Sequence, residues 1–278
     1  VKYILKLAYK GTDYHGWQIQ KNANSVQAMI EKAFHLLCGE RVELTGCGRT
    51  DTGVHASCYF AHFETEAQLS ENFVYKLNSI LPKDIAISLC TSIGDEFHAR
   101  FSAISREYKY LIHSQKDPFL NDESYFFHHE LNLEMMNRAC EVLKATKDFA
   151  SFCKKGGDNK TTRCEIYECF WAKEGYRLVF TIRADRFLRN MVRAIVGTML
   201  EIGLNKMNLD ELETIIESKN RSLSGTSVPA CGLYLTEITY PKEFNLELKF
   251  ITVAQVGRLE FHKNQCLDSK SRLHLFLF

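Results

Sequence analysis

The sequence predicts an α+β fold made of two tandem ferredoxin-like, split-βαβ halves. Three observations predict it. Segments of strand and helix periodicity follow one another as β-α-β-β-α-β over residues 2–91, the same order returns over 106–239, and the composition is that of a globular chain. Of 278 residues, 45 % are hydrophobic and 25 % charged. That supplies a sizeable core and excludes disordered, collagen-like and coiled-coil chains.

In the first half, residues 2–8 (KYILKLA) read as a strand, followed by a turn at Gly11-Thr12-Asp13. Ser25 is a fitting N-cap for a helix with Val26, Ile30, Ala33, Phe34 and Leu37 on one face. A strand near 42–47, a glycine-rich loop and a strand at 55–63 come next. A helix fits 71–80, with Phe73, Leu77, Ile80 and Leu81 aligned; Pro82 and Asp84 stop it, and 84–91 (DIAISLCT) reads as a buried strand.

The second half opens on a strand at 106–112, then a helix at 132–145 with Leu133, Met136, Cys140 and Leu143 aligned. Strands follow at 163–172 and 176–183; in the latter Tyr176, Leu178, Phe180 and Ile182 alternate with Arg177, Val179, Thr181 and Arg183. The strongest helical pattern is 188–202, where Leu188, Met191, Val192, Ile195, Val196, Met199 and Leu200 recur at i, i+3, i+4, i+7. A short helix at 209–217 precedes a last strand at 232–239. These spans divide the chain into halves at 1–104 and 105–241, with an extension at 242–278 belonging to neither.

Composition excludes several function classes. Lys and Arg number 35 against 34 Asp and Glu, a net charge of +1, which disfavours a uniformly basic nucleic-acid binder and leaves only local basic patches. No run of 18 apolar residues exists, so no membrane span is expected, and the start (VKYILKLAYKGTDYHG) turns polar too soon for a signal peptide. The ten cysteines include no C-x-x-C, and Cys164 and Cys169 fall on opposite strand faces. No H-E-x-x-H is present, and the adjacent His128 and His129 point apart on an extended chain. Reduced thiols, a cytoplasmic setting and no metal are the expectations.

The most distinctive segment is Gly46-Cys47-Gly48-Arg49-Thr50-Asp51-Thr52-Gly53-Val54-His55-Ala56. Its glycine spacing is neither a dinucleotide fingerprint nor a P-loop. It presents one cation and one carboxylate from a tight backbone, a pattern open to a site or to an exposed ion pair. Two basic stretches accompany it: Arg183, Arg186, Arg189 and Arg193 against Asp185, and Lys154, Lys155, Lys160 and Arg163 against Asp158. Arg189 and Arg193 are expected on one helix edge. Patches like these suit phosphates, or are solvated faces. Tyr14, His15, Trp17, Gln18 and Gln20 add aromatic and amide groups of the kind that stack on or bond to bases, though Trp17 also suits a core.

Five segments in order, AYKGTDYHGWQIQ at 8–20, GRTDTGVHA at 48–56, FHARFSAISREYKY at 97–110, RFLRNMVRAIVGTML at 186–200 and CGLYL at 231–235, resemble the tRNA pseudouridine synthase A family. The resemblance covers about 1–240. It implies the pseudouridine synthase fold, two sheets joined across a central cleft, and isomerisation of uridine to pseudouridine in the tRNA anticodon stem-loop at positions 38–40. It implies no cofactor and a homodimer with tRNA across both subunits. By it, Asp51 is the catalytic aspartate, Arg49 fills the space of the flipped uridine, and Tyr108 stacks on the uracil. Arg193 would pair with the Asp51 carboxylate, and Leu233 would pack on the base. Tyr14, Trp17, Gln18, Gln20, Lys154, Lys155, Lys160, Arg163, Arg186 and Arg189 are the tRNA-contacting candidates. The chain departs from the family pattern at Ser227-Val228-Pro229-Ala230-Cys231 and in its tail. The alternative reading is a non-catalytic RNA-binding protein on the same scaffold; the lack of an aromatic RNP1-type strand weighs against it.

Overall fold

Alternating apolar residues form the first strand, β1 (Lys2–Tyr9), which buries Ile4, Leu5, Leu7 and Tyr9. The computed structural model describes residues 1–154, 156, 160–244 and 246. After β1 come α1 (Val26–Cys38), β2 (Thr45–Gly46), β3 (His55–Glu64), α2 (Phe73–Ile80) and β4 (Ile85–Ser92). The chain continues through β5 (Ser105–His113), β6 (Tyr125–Phe126), α3 (Leu133–Ala145), β7 (Ile166–Glu174) and β8 (Arg177–Ala184). It goes on through α4 (Met191–Gly203) and α5 (Leu209–Ser218) to β9 (Leu233–Thr239).

All the described strands join one nine-stranded sheet, ordered β4-β1-β3-β9-β5-β8-β7, with β2 on β3 and β6 on β5. The sheet is mostly antiparallel, and the whole is a mixed α+β fold. The last strand is therefore the central one: β9 runs antiparallel to β5 and parallel to β3, the latter only through His55–Tyr234 and Ala56–Leu235. Two apolar clusters flank this join. One packs Ile30 and Phe34 of α1 and Leu77 of α2 on Ile4 and Phe63. The other packs Met136 of α3 and Ile195 and Met199 of α4 on Phe180 and Ile182.

Local signals act where expected. Ser25 is extended at φ −138°, its Oγ accepts the Ala28 N–H at 3.3 Å, and α1 ends on Gly39 at φ 73°. Three expectations are corrected. The strand at 42–47 shrinks to β2, because the Leu44 N–H and carbonyl are satisfied by side chains of α1, Glu31 and Gln27. Ile80 is 40 % exposed and leaves the core face of α2. The helix expected from 188 starts at Met191, because Asn190 sits at φ 64°, a left-handed conformation no helix contains. The 242–278 extension lies almost entirely outside the described residues. Its first part, Phe244 and Leu246, packs on the first cluster.

Candidate active site

The loop from Gly46 to His55 turns between β2 and β3, and distant side chains hold it. The Tyr59 hydroxyl donates to the Gly48 carbonyl, the Cys47 N–H to the Phe60 carbonyl at 2.8 Å, and the Tyr9 and Thr50 hydroxyls lie 2.8 Å apart. A turn closes where the Val54 N–H meets the Asp51 carbonyl at 3.1 Å. Gly53 adopts φ 79° and donates to the Tyr14 carbonyl at 3.2 Å. Gly16 passes so close beneath that a Cβ there would stand 2.2 Å from the Thr50 carbonyl oxygen.

His55 finishes the loop. Its Nδ1 accepts the Gly11 N–H at 3.0 Å, which leaves Nε2 to donate to the Cys231 carbonyl at 3.1 Å. Burial lowers its pKa and so keeps the neutral imidazole that these two bonds require. The ring stacks on Tyr234 at 4.6 Å. One histidine thus ties the first loop, the Asp51 loop and the entry to β9. Asp51 itself stays partly buried at the cleft wall.

The facing wall comes from β5 and β9. Their register shifts between Glu107 and Tyr108, setting Tyr108 opposite Leu235 and Tyr110 opposite Leu233. Tyr110 is fully buried and donates to the Pro229 carbonyl at 2.8 Å. Tyr108 touches both apolar clusters and meets Phe187 edge-on at 5.0 Å between centroids. Burial first, then the neighbouring Cys47 and the Asp51 carboxylate, push its phenol well above the ordinary range, so the hydroxyl is neutral. Burial likewise pushes the Cys47 thiol up to about 12, which makes it inert packing.

Asp51, Arg49, Tyr108 and Leu233 line one cleft of about 1020 Å³, together with Gln18, Gln20, Lys160, Arg186 and Arg189. Arg49, Arg100, Arg106, Lys160, Arg186 and Arg189 face it as cations; Asp51 is the single carboxylate among its described lining residues. Among the described residues no three His, Cys, Asp or Glu side chains converge to hold a metal ion, and no helix is long and apolar enough to cross a membrane.

Other expected residues lie elsewhere. Tyr14 and Trp17 are core, each 3 % exposed: the Tyr14 hydroxyl donates to Asp84 at 2.7 Å, and Trp17 stacks on Tyr59 at 4.1 Å. Trp17 still borders a smaller cavity beside the cleft. Because α4 starts late, Arg189 belongs to the preceding turn and Arg193 to the helix, so they share no helix edge. Arg193 spends its Nε on the Val228 carbonyl at 2.7 Å, and the ion pairs of the described residues do not include one between it and Asp51. Arg183 pairs with Glu168. Lys154 and Arg163 are exposed outside the cleft lining, and Lys155 lies outside the described residues. Arg100, Phe101 and Arg106 line the cleft without having been singled out; the signal was Arg106 sharing a strand face with Tyr108.

Among the described lining residues, then, a single carboxylate stands among six cations, beside the apolar side chains of Leu233 and Leu235. A family model described as tRNA pseudouridine synthase matches residues 7–102 and 139–241. The chain is 47 % identical over 244 residues to a tRNA pseudouridine synthase A of Parabacteroides distasonis, covering 87 % of this chain and 97 % of that one. A namesake from Acetivibrio thermocellus is 43 % identical, covering 86 % and 99 %. This chain belongs to the tRNA pseudouridine synthase family.

Proposed function

We propose that this cleft isomerises uridine to pseudouridine in the anticodon stem-loop of tRNA, at positions 38–40, with Asp51 as the reacting group. The observation that carries the reading is the placement of Asp51, the one carboxylate among the described lining residues of a cationic cleft, beside Tyr108 and Leu233. The reaction breaks the bond from uracil N1 to the ribose and forms one from C5. N1 gains a proton and C5 loses one, so atoms balance without redox and no cofactor is called for. Asp51 acts at the sugar, by covalent attack or by removing a proton to open a glycal. The neutral Tyr108 ring and Leu233 hold the turning base, and Arg49 occupies the space it leaves. Arg186, Arg189 and Lys160 take phosphates.

The same reading makes the protein a cytoplasmic homodimer. It also makes 1–104 and 105–241 repeated split-βαβ units, which the strand orders β4-β1-β3-β2 and β9-β5-β8-β7 support. To test the site, unmodified tRNA transcript is incubated with protein and pseudouridine mapped chemically. Asp51→Asn should slow conversion about 10³-fold or more with tRNA binding retained. Conversion at the parental rate refutes the assignment.

A further inference from the structure

The turn at 98–103 stands at the mouth of the cleft, and it is unusually well fastened. His98 Nδ1 accepts the N–H groups of both Arg100 and Phe101, at 3.2 and 3.3 Å. The His98 N–H donates to Ser102 Oγ at 3.0 Å, and the Ser102 N–H returns to the His98 carbonyl at 2.9 Å. Arg106 grips the carbonyls of Arg100 and Ala103. Yet the side chains this rigid turn presents are left outside. The Phe101 ring is 74 % exposed, with the Arg100 guanidinium 5.5 Å from its centroid.

A second cavity of about 240 Å³ adjoins the first and shares with it a wall of Gly48, Arg49, Arg100 and Phe101. Gln18 and Glu43, which offer an amide and a carboxylate, also line it. The Phe101 ring rests against the His98 ring at 4.3 Å between centroids, with the Arg100 guanidinium over it and Arg49 on the same wall; a largely exposed ring beside two arginines, continuous with the main cleft, fits a planar base and its phosphates.

We propose that Phe101 and Arg100 form a second nucleobase subsite, holding an unpaired base of the substrate strand next to the uridine in the main cleft. The base stacks on the Phe101 ring, Arg100 and Arg49 take the flanking phosphates, and Gln18 and Glu43 face the base's edge. Extruding the uridine costs its neighbour a stacking partner; the ring replaces it. The inference rests on reading the main cleft as the uridine site, and the test separates the two.

The chain has two tryptophans, Trp17 and Trp171, each 3 % exposed, and Trp17 borders the second cavity, so the F101W signal is read as its emission less that of the parent protein with the same tRNA. Its emission should be quenched by tRNA transcript, saturating near the KM, and equally so when combined with D51N. F101A should raise KM about ten-fold, with kcat within about two-fold of the parent, the size of one lost base–aromatic stack. Its melting temperature should match the parent's because the ring is exposed. An unchanged KM in F101A, or undiminished F101W emission at saturating tRNA, overturns the subsite. Undiminished turnover by D51N would overturn the main-cleft reading instead, and the quenching would still report on the subsite.

Discussion

Replacing Arg106 should cripple the site from outside its chemistry. Its guanidinium donates to four backbone carbonyls: Cys47 at 3.3 Å, Arg100 at 2.5 Å, Ala103 at 3.0 Å and Asp185 at 3.0 Å. Those atoms belong to the Asp51 loop, the 98–103 turn and the arginine-rich segment before α4, so one side chain spaces three walls of the cleft. A hydrogen bond from a charged donor contributes ~1.5–3 kcal/mol. The four share one donor group, and water replaces part of them at a partly exposed side chain. Arg106→Met should therefore lose ~2–4 kcal/mol, a fall in Tm of about 5–12 °C for a chain this size. A displacement of ~1 Å at Asp51 would cost a further ~10² in kcat. Arg106→Lys keeps the charge but not the planar fork, and should fall between the two. Thermal melting and single-turnover conversion of a tRNA transcript measure both effects. An Arg106→Met protein within about 2 °C and two-fold of the parent would refute the bracing role.

Gly16→Ala should impair activity more than stability. Its Cβ would stand 2.2 Å from the Thr50 carbonyl, next to Asp51, at φ 86°, so the loop must shift; kcat should drop ~10²-fold, and a parental kcat would exclude the contact. Acid should destabilise the fold through His62. Burial first, then the cations of His98 and Lys2, lowers its pKa to about 4, and its Nδ1 accepts the Ala99 N–H at 3.1 Å. The unfolded chain binds a proton below about 6.5 and the folded chain only near 4. Stability is therefore full above 6.5 and falls as pH drops through that window, by at most ~1.4 kcal/mol per unit. Urea titrations should show a shallower slope for His62→Gln; an identical slope would acquit His62.

What could be read from the chain was what its neighbours in sequence decide. Ser25 caps α1 because a cap needs only the next three residues, and the alternation in YRLVFTIR makes β8 because strand period is local. The lost part of the 42–47 strand and the late start of α4 were decided elsewhere: Gln27 and Glu31 took the Leu44 backbone groups, and Asn190 donates to Ser227 at 2.5 Å in its left-handed turn. Site residues divide the same way. The GRTDTGVHA segment announced Asp51, but nothing adjacent to Trp17 reveals that Tyr59, 42 positions on, stacks beneath it.

Net charge misled for a related reason. A total of +1 averages over surface outside the cleft lining, such as the acidic face of α5 from Asp210 to Glu217. The fold instead gathers cations from five separate segments around the one carboxylate of the described lining residues. Gathering depends on β9, the last of the described strands, entering between β3 and β5. Its hold on β3 is only two residue pairs, reinforced by the bond from His55 to the Cys231 carbonyl and the stack on Tyr234. The cationic cleft therefore exists only when the whole sheet is closed. An incomplete or locally opened chain has the charges but not the field, and a carboxylate with nothing to oppose.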